Sequence, residues 1–135
     1  MELYSDKLIR VHYAAEQSIL YADWQEQRPY SAAEVKTAFM DVVSSARDLN
    51  IKNLMLNFSD NTQDLTEEEY KAALAQLVVG LLPTTIRKIA CVGTSSSVRE
   101  DRILAAFNEI KESINRPLEF SFFSNRTKAL LWLKK

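Results

Sequence analysis

The sequence predicts a single α/β domain in which a β-hairpin is followed by alternating helices and strands, in the order ββαβαβαβα. Two runs rich in β-branched and aromatic residues, 8–13 and 18–24, are separated by a short polar step, which suits an antiparallel hairpin. Beyond them, short apolar runs alternate with longer segments of helical period. Three of those longer segments begin with a capping box, a hydroxyl residue followed three positions later by glutamate.

The first predicted helix follows the hairpin. Ser31 and Glu34 have the capping-box spacing, and Pro29 favours an extended entry to the helix. Apolar residues then recur at helical spacing, so one face should be buried, and the helix should end near Asn50. That face consists of Val35, Phe39, Val42, Val43, Ala46 and Leu49.

A short apolar strand at 53–58 and a second helix come next. Thr66 and Glu69 form the second capping box. Pro83 is expected to end this helix, because proline disfavours a helical conformation at the residue before it. The predicted buried face consists of Tyr70, Leu74, Leu77, Val78 and Leu81.

A strand at 86–93 leads to the third capping box, Ser97 with Glu100. The buried stripe of the helix that follows is predicted from its apolar period. It consists of Ile103, Ala106, Phe107, Ile110 and Ile114.

The last predicted strand spans 118–123, with Phe120 and Phe122 on one face and Phe123 on the other. Asn125 is expected to cap a final helix. Strands joined through a helix pair in parallel by right-handed crossovers. The sequence therefore predicts a mixed, mostly parallel five-stranded sheet, with one antiparallel strand supplied by the hairpin.

Length and composition agree with one domain over residues 1–135. The chain is 47% hydrophobic and 26% charged, close to the globular average, and it is long enough to bury a core without disulfides or metals. The net charge is −1 and the basic residues are scattered, so nucleic acid is not an expected partner. The one cysteine, Cys91, cannot form an internal disulfide, which fits a reducing compartment.

No membrane span is expected. The N-terminal residues have neither the basic start nor the apolar core of a signal peptide. The longest apolar stretch, 72–82, is shorter than the ~20 residues that a span needs, so it indicates a buried helix. These features predict a cytoplasmic location.

The sequence carries no recognisable catalytic or cofactor motif. Gly80 and Gly93 are the only glycines, which excludes a glycine-rich phosphate loop. The single His12 and Cys91 leave no metal cluster with usable spacing, and no nucleophile elbow accompanies His12. We interpret His12 as a structural or exposed strand residue and Cys91 as a buried apolar one. No catalytic residue, cofactor or metal is therefore expected.

The sequence supports two further interpretations, a phospho-receiver domain and an enzyme, less well than a binding function. A phospho-receiver domain also alternates strands and helices, but the hairpin here lacks the acidic pair of that fold, and Asp60 stands alone after its strand. An enzyme would have to use Asp60, Asp64 or the triple glutamate 67–69, without a recognisable partner residue. A binding function is therefore favoured over catalysis.

Two polar loops are the expected functional region, because ligands of parallel sheets bind at the carboxyl ends of the strands. The loops 59–66 and 93–97 follow neighbouring crossover strands and should lie at one edge of the domain. The second loop offers hydroxyls and N–H groups to an anion, and the alternative is that both loops serve only capping and turns. The candidate regulatory or binding residues are Ser59, Asp60, Asn61, Thr62, Thr66, Thr94, Ser95 and Ser96.

The element order, the loop after 57–59 and the closing segment 129–133 resemble STAS domains, most closely the bacterial anti-sigma-factor-antagonist-like proteins. The likeness covers nearly the whole chain in architecture. That family shows Asp-Leu-Ser at the strand end and a phosphorylated serine, within Asp-Ser-Ser-Gly, opening the next helix. Asn-Phe-Ser at 57–59 is similar to the first, and Thr66 falls at the spacing of that serine. Leu65 stands where the aspartate would be, and two glutamates replace the Ser-Gly.

The resemblance implies a non-enzymatic regulatory or protein-binding module that works through the loop 59–66 and the helix beyond it. Val79 and Leu82, beside the main stripe of that helix, belong either to the core or to a partner or homodimer surface. The STAS fold is also similar to Sec14-type lipid-binding domains, so a carrier of an apolar ligand or nucleotide is the alternative. Because the family's phosphorylation sequence is replaced, we expect the Thr66 hydroxyl chiefly to cap the helix.

Overall fold

The computed structural model describes residues 1–26, 28–57, 65–92, 118–123 and 125–134, together with Asp101, Ala105, Asn108, Glu109 and Glu112. The strands are β1 (Glu2–Ser5), β2 (Ile9–Ala14), β3 (Ile19–Trp24), β4 (Asn53–Asn57), β5 (Lys88–Val92) and β6 (Glu119–Phe123). The helices with described bounds are α1 (Ala32–Arg47), α2 (Glu67–Leu81) and α3 (Arg126–Leu133). The five isolated residues between 101 and 112 are helical and exposed.

The strands form one mixed sheet in the order β1-β2-β3-β4-β5-β6. Strands β3 to β6 are parallel, and β2 is antiparallel to both of its neighbours. The predicted α/β class and the single antiparallel strand are therefore confirmed. The predicted count of five strands is wrong, because β1 adds a sixth. A strand of four residues is too short to show an alternating pattern, and its pairing with β2 defines it.

The three helices with described bounds lie on both faces of the sheet. Because each crossover advances by one strand in the same direction, right-handed connections place α1 and α2 on one face. Buried residues of both helices pack there against Leu20, Leu54 and Ile89 of the sheet. Helix α3 packs on the opposite face, where Ala129 and Leu133 meet residues of β3, β4 and β5. We call these the first and second faces of the sheet.

The predicted apolar faces agree with the observed burial. Every residue of the predicted α2 face is buried, and so is the predicted α1 face except Leu49, which is partly buried. Phe120 and Phe122 pack on the first face and Phe123 on the second, as the alternation predicts. The third predicted helix stripe, Ile103 to Ile114, lies outside the described residues.

Two of the three predicted capping boxes are present, and the third, Ser97 with Glu100, lies outside the described residues. At α1, Ser31 Oγ accepts from the Glu34 N–H at 3.2 Å, and Glu34 Oε1 accepts from the Ser31 N–H at 2.9 Å. The Arg28 guanidinium, 2.7 Å from Glu34, and these backbone contacts lower the pKa of Glu34 to about 2. Asn125 caps α3 as predicted, accepting from the Lys128 N–H at 2.9 Å.

Helices α1 and α2 approach each other closely at Gly80. A Cβ atom at this position would lie 2.8 Å and 2.9 Å from the two methyl carbons of Val43. Contacts below 3.0 Å are essentially absent from real structures, so a side chain at Gly80 requires the Val43 side chain or the helix that carries it to shift. The absence of a side chain at Gly80 therefore lets α2 pack directly against Val43 of α1.

Candidate functional site

The four parallel strands end at one level of the sheet. Asp23 pairs with Asn57, Asn57 with Val92, and Val92 with Phe123. Asn57 and Val92, the last described residues before the two polar segments, therefore lie side by side, as expected for carboxyl ends of parallel strands. Seven of the eight candidate residues lie outside the described residues: Ser59, Asp60, Asn61, Thr62, Thr94, Ser95 and Ser96.

Thr66 is the one candidate loop residue that the structure describes. It is exposed and forms the N-cap of α2. Its Oγ1 accepts from the Glu69 N–H at 3.1 Å, and Glu69 Oε1 accepts from the Thr66 N–H at 2.9 Å. The capping function predicted for its hydroxyl is confirmed.

Replacing Thr66 by alanine should lower the free energy of unfolding by about 1 kcal/mol, because a helix N–H loses its acceptor. Thr66→Asp should be nearly neutral, since aspartate also caps. Urea unfolding followed by circular dichroism measures both. Thr37→Ala, the same chemical change at an exposed position inside α1, is the matched control and should cost nothing. A Thr66→Ala protein as stable as wild type would contradict the assignment.

Helix α2 keeps one large apolar side chain in solvent. Val79 is 60% exposed, whereas Val78 before it is fully buried. Leu82, the C-cap residue, is partly buried. Of the two residues considered for a partner surface, Val79 is the one that faces outward. The start of the same helix is acidic, with Glu67 and Glu68 exposed.

A polar cluster that the sequence analysis missed lies on the second face. His12 Nε2 is 3.3 Å from Asp23 Oδ2, and the His12 ring stacks on Tyr21 at a centroid distance of 5.0 Å. The Arg126 guanidinium lies over the Tyr21 ring at 5.1 Å and 3.8 Å from Asp23 Oδ1. The Tyr21 hydroxyl donates to Gln17. Each of these groups has a partner, so the cluster fastens the start of α3 to β2 and β3.

The pairing of His12 with Tyr21 across the hairpin was available from the sequence, but the contribution of Arg126 was not. His12 and Tyr21 are register partners, and Asp23 follows on the same face of β3. Arg126 arrives from a helix more than a hundred residues later. The interpretation of His12 as a structural strand residue is consistent with these contacts.

A second feature lies at the opposite side of the sheet, between β1 and α1. A surface depression of about 520 Å³ is lined by Leu3 and Tyr4 of β1 and, from α1 and its C-terminal end, by Asp41, Ser44 and Asp48 among others. We call it the β1–α1 groove. The register of β1 shifts between Glu2 and Tyr4. The irregularity lets two consecutive residues, Leu3 and Tyr4, both pack on the first face, which a regular strand does not permit.

Tyr4 lies close to two carboxylates, those of Asp6 and Asp41, and the pKa of each of the three groups is shifted. Its hydroxyl donates to Asp6 Oδ2 at 2.7 Å, and this hydrogen bond, burial and the nearby Asp41 raise the pKa of Tyr4 to about 12. Burial opposes ionisation of Asp6, but hydrogen bonds from Tyr4 and from the N–H groups of Leu8 and Ile9 outweigh it and lower its pKa. Burial raises the pKa of Asp41, and the negative charge of Asp6 raises it further. The hydrogen bond with the Tyr4 hydroxyl lowers the pKa but does not cancel this rise.

The described residues offer little for metal or thiol chemistry. Among them, no three histidine, cysteine, aspartate or glutamate side chains are grouped so as to hold a metal ion. Cys91 is 1% exposed in the core, and burial raises the pKa of its thiol well above the ordinary value, which disfavours the reactive thiolate. In the described part of the chain, no helix has both the length and the apolar character needed to cross a membrane.

Comparison of the chain with protein-family models, curated proteins and solved structures found no match.

Proposed function

We propose that this chain is a non-enzymatic, STAS-like protein-binding module of the cytoplasm, and that its partner binds the outer side of α2 together with the loop that leads into it. The observation that carries the proposal is Val79, an apolar side chain 60% exposed on a helix whose other side is fully packed. The STAS resemblance supports the same region, because Thr66 caps this helix at the spacing of the family's regulated serine.

The charge distribution of α2 defines the partner. Glu67 and Glu68 are exposed at its first turn, where the helix dipole favours negative charge, while Glu69 is used in the cap. The Lys71 ammonium contacts Glu109, which offsets positive charge along the helix. The surface is thus acidic at its start and apolar at Val79. The complementary partner presents basic groups opposite the glutamates and an apolar group opposite Val79.

Affinity capture with matched variants tests the proposal. Val79→Lys places a charge in the expected interface, and Leu131→Lys makes the same change at a residue of α3 that is 63% exposed. Both positions are exposed, so neither variant should lose stability. We expect wild type and L131K to retain the same protein from a lysate of the source cells, and V79K to lose it.

Reversal of charge provides a second arm. The double variant Glu67→Lys, Glu68→Lys should also lose the partner, because the new lysines would repel the basic groups that the partner places there. If the retained protein is this chain itself, light scattering of wild type and V79K will show a homodimer that V79K dissociates. Equal capture by all four proteins would contradict the proposal.

The alternative of an apolar-ligand carrier has no specific support in the described part of the chain. The space between the sheet and helices α1 and α2 is filled there by side chains, with Phe39, Leu54, Leu56 and Leu74 each 0% exposed. A small molecule that stays bound through purification would favour the carrier over the binding module.

A further inference from the structure

Helix α3 carries apolar side chains on its outer side as well as on its packed side. Ala129 and Leu133 are buried against the second face of the sheet. Leu131 is turned by about 160° from each of them around the helix axis, and it is 63% exposed. Leu130 and Trp132, on the two flanks, are partly buried. A helix that is apolar on all sides is ordinarily enclosed, so the outer side of α3 is suited to a further apolar contact.

The charged residues around Leu131 are basic. Lys128 and Lys134 lie one turn before and one turn after it on the same side of the helix, and both are exposed. Neither lysine forms an ion pair with a described residue. The segment 125–135 contains four basic residues and no acidic one, although the whole chain has a net charge of −1. We call Lys128, Leu130, Leu131, Trp132 and Lys134 the α3 surface.

The sheet beneath α3 does not neutralise this charge. Lys88 of β5 adds a cation, since its Nζ lies 5.2 Å from the centroid of the Trp132 ring and donates to the Trp132 carbonyl at 3.2 Å. Two acidic residues of the second face already have cations beside them. Glu119 is opposite Lys88 in the strand register, and Asp23 belongs to the polar cluster with Arg126. The α3 surface therefore stays positive.

An exposed leucine between two lysines fits the interface of a membrane that contains anionic lipids. Basic amphipathic helices lie in such an interface with their apolar side chains among the upper acyl chains. Lysine ammonium groups pair with the lipid phosphates while their methylene stems cross the apolar boundary. Tryptophan favours the headgroup level, which suits Trp132 on the flank of the helix. A helix face is convex, and a fluid lipid surface adapts to it, whereas a protein partner needs a complementary groove.

We propose that the α3 surface binds reversibly to membranes that contain anionic lipids, with Leu131 entering the interface and Lys128 and Lys134 contacting lipid phosphates. The helix lies along the membrane surface and does not cross it. So few side chains give weak binding, so half of the protein should be bound at a lipid concentration on the order of 1 mM. Helices α3 and α2 lie on opposite faces of the sheet, so this site and that of the proposed function are tested independently.

Co-sedimentation of the full chain with lipid vesicles tests the proposal. Vesicles of phosphatidylcholine mixed with phosphatidylglycerol should retain the protein, and vesicles of phosphatidylcholine alone should not. Added salt should release it, because the attraction is screened. Lys128→Glu, Lys134→Glu and Leu131→Ser should each lower the affinity for the mixed vesicles about tenfold, the first two by reversing a charge and the third by removing the apolar contact. All three positions are exposed, so the variants should stay folded.

Matched controls make the same changes elsewhere. Lys7→Glu reverses a charge at an exposed position between β1 and β2, and Val79→Ser removes an exposed apolar side chain from α2. Both proteins should bind the mixed vesicles as wild type does. Equal retention by the two kinds of vesicle, no retention by either, unchanged affinity in Leu131→Ser, or a loss in Val79→Ser would each overturn the proposal. Binding to polyglutamate but not to the mixed vesicles would also overturn it, in favour of an acidic protein.

Discussion

Replacing Phe39 by alanine should lower the free energy of unfolding by about 3–5 kcal/mol, the cost of deleting a large aromatic side chain from a packed core. Phe39 is 0% exposed on the sheet-facing side of α1, and its ring lies 6.0 Å from the ring of Trp24. The cavity would open between α1 and β3. Since a domain of this size has a total stability of only about 5–15 kcal/mol, the loss would be a large fraction of the whole. Urea unfolding monitored by circular dichroism measures it.

Met40, the next residue along α1, supplies the matched control. It is 43% exposed, so Met40→Ala should change the free energy of unfolding by less than about 1 kcal/mol. The two residues are neighbours in α1, so the expected difference between the two variants depends on which side of the helix faces the sheet. Similar losses in the two variants would show that the helix does not present Phe39 to the sheet.

Gly80→Val should be the second large effect, lowering the free energy of unfolding by about 1–3 kcal/mol through overpacking. Even a lone Cβ at this position would meet the Val43 methyl carbons at 2.8 Å and 2.9 Å, and valine adds two more carbons. Valine is a better helix former than glycine, so intrinsic propensity acts in the opposite direction. The clash prevails because Val43 is stiff at χ1 and is itself buried.

A double-mutant cycle isolates that contact. Val43→Ala removes both methyl carbons that a Cβ at Gly80 would meet, so Gly80→Ala should be destabilising in wild type and neutral or stabilising in the Val43→Ala background. The unfolding free energies of the four proteins give the coupling. Additive effects would mean that α1 and α2 do not meet at Gly80.

Most of the fold was predictable because its signals are local. The capping boxes at Ser31 and Thr66 fix helix starts by hydrogen bonds within four residues, and both are present. The buried faces of α1 and α2 follow from helical periodicity, which requires no knowledge of the partner surface. The strand β1 was missed because four residues carry too little pattern, and its pairing depends on contacts with β2.

The candidate site was less predictable because its groups come from distant parts of the chain. Asp41 and Tyr4 meet only through the packing of α1 on the edge of the sheet, and Arg126 reaches Asp23 only through the placement of α3. Side-chain exposure is also a property of the assembled fold. Helical periodicity does not decide whether Val79 and Leu82 are buried. In the folded chain Val79 is exposed and Leu82 is partly buried.

Native mass spectrometry of the full chain, purified gently from its source cells, tests the central claim of a non-enzymatic binding module most directly. We expect the ligand-free mass of the chain, together with a complex that contains a protein partner and is present in Leu131→Lys but lost in Val79→Lys. A mass increment from a retained lipid or nucleotide, or a protein complex that survives in Val79→Lys, would contradict the account.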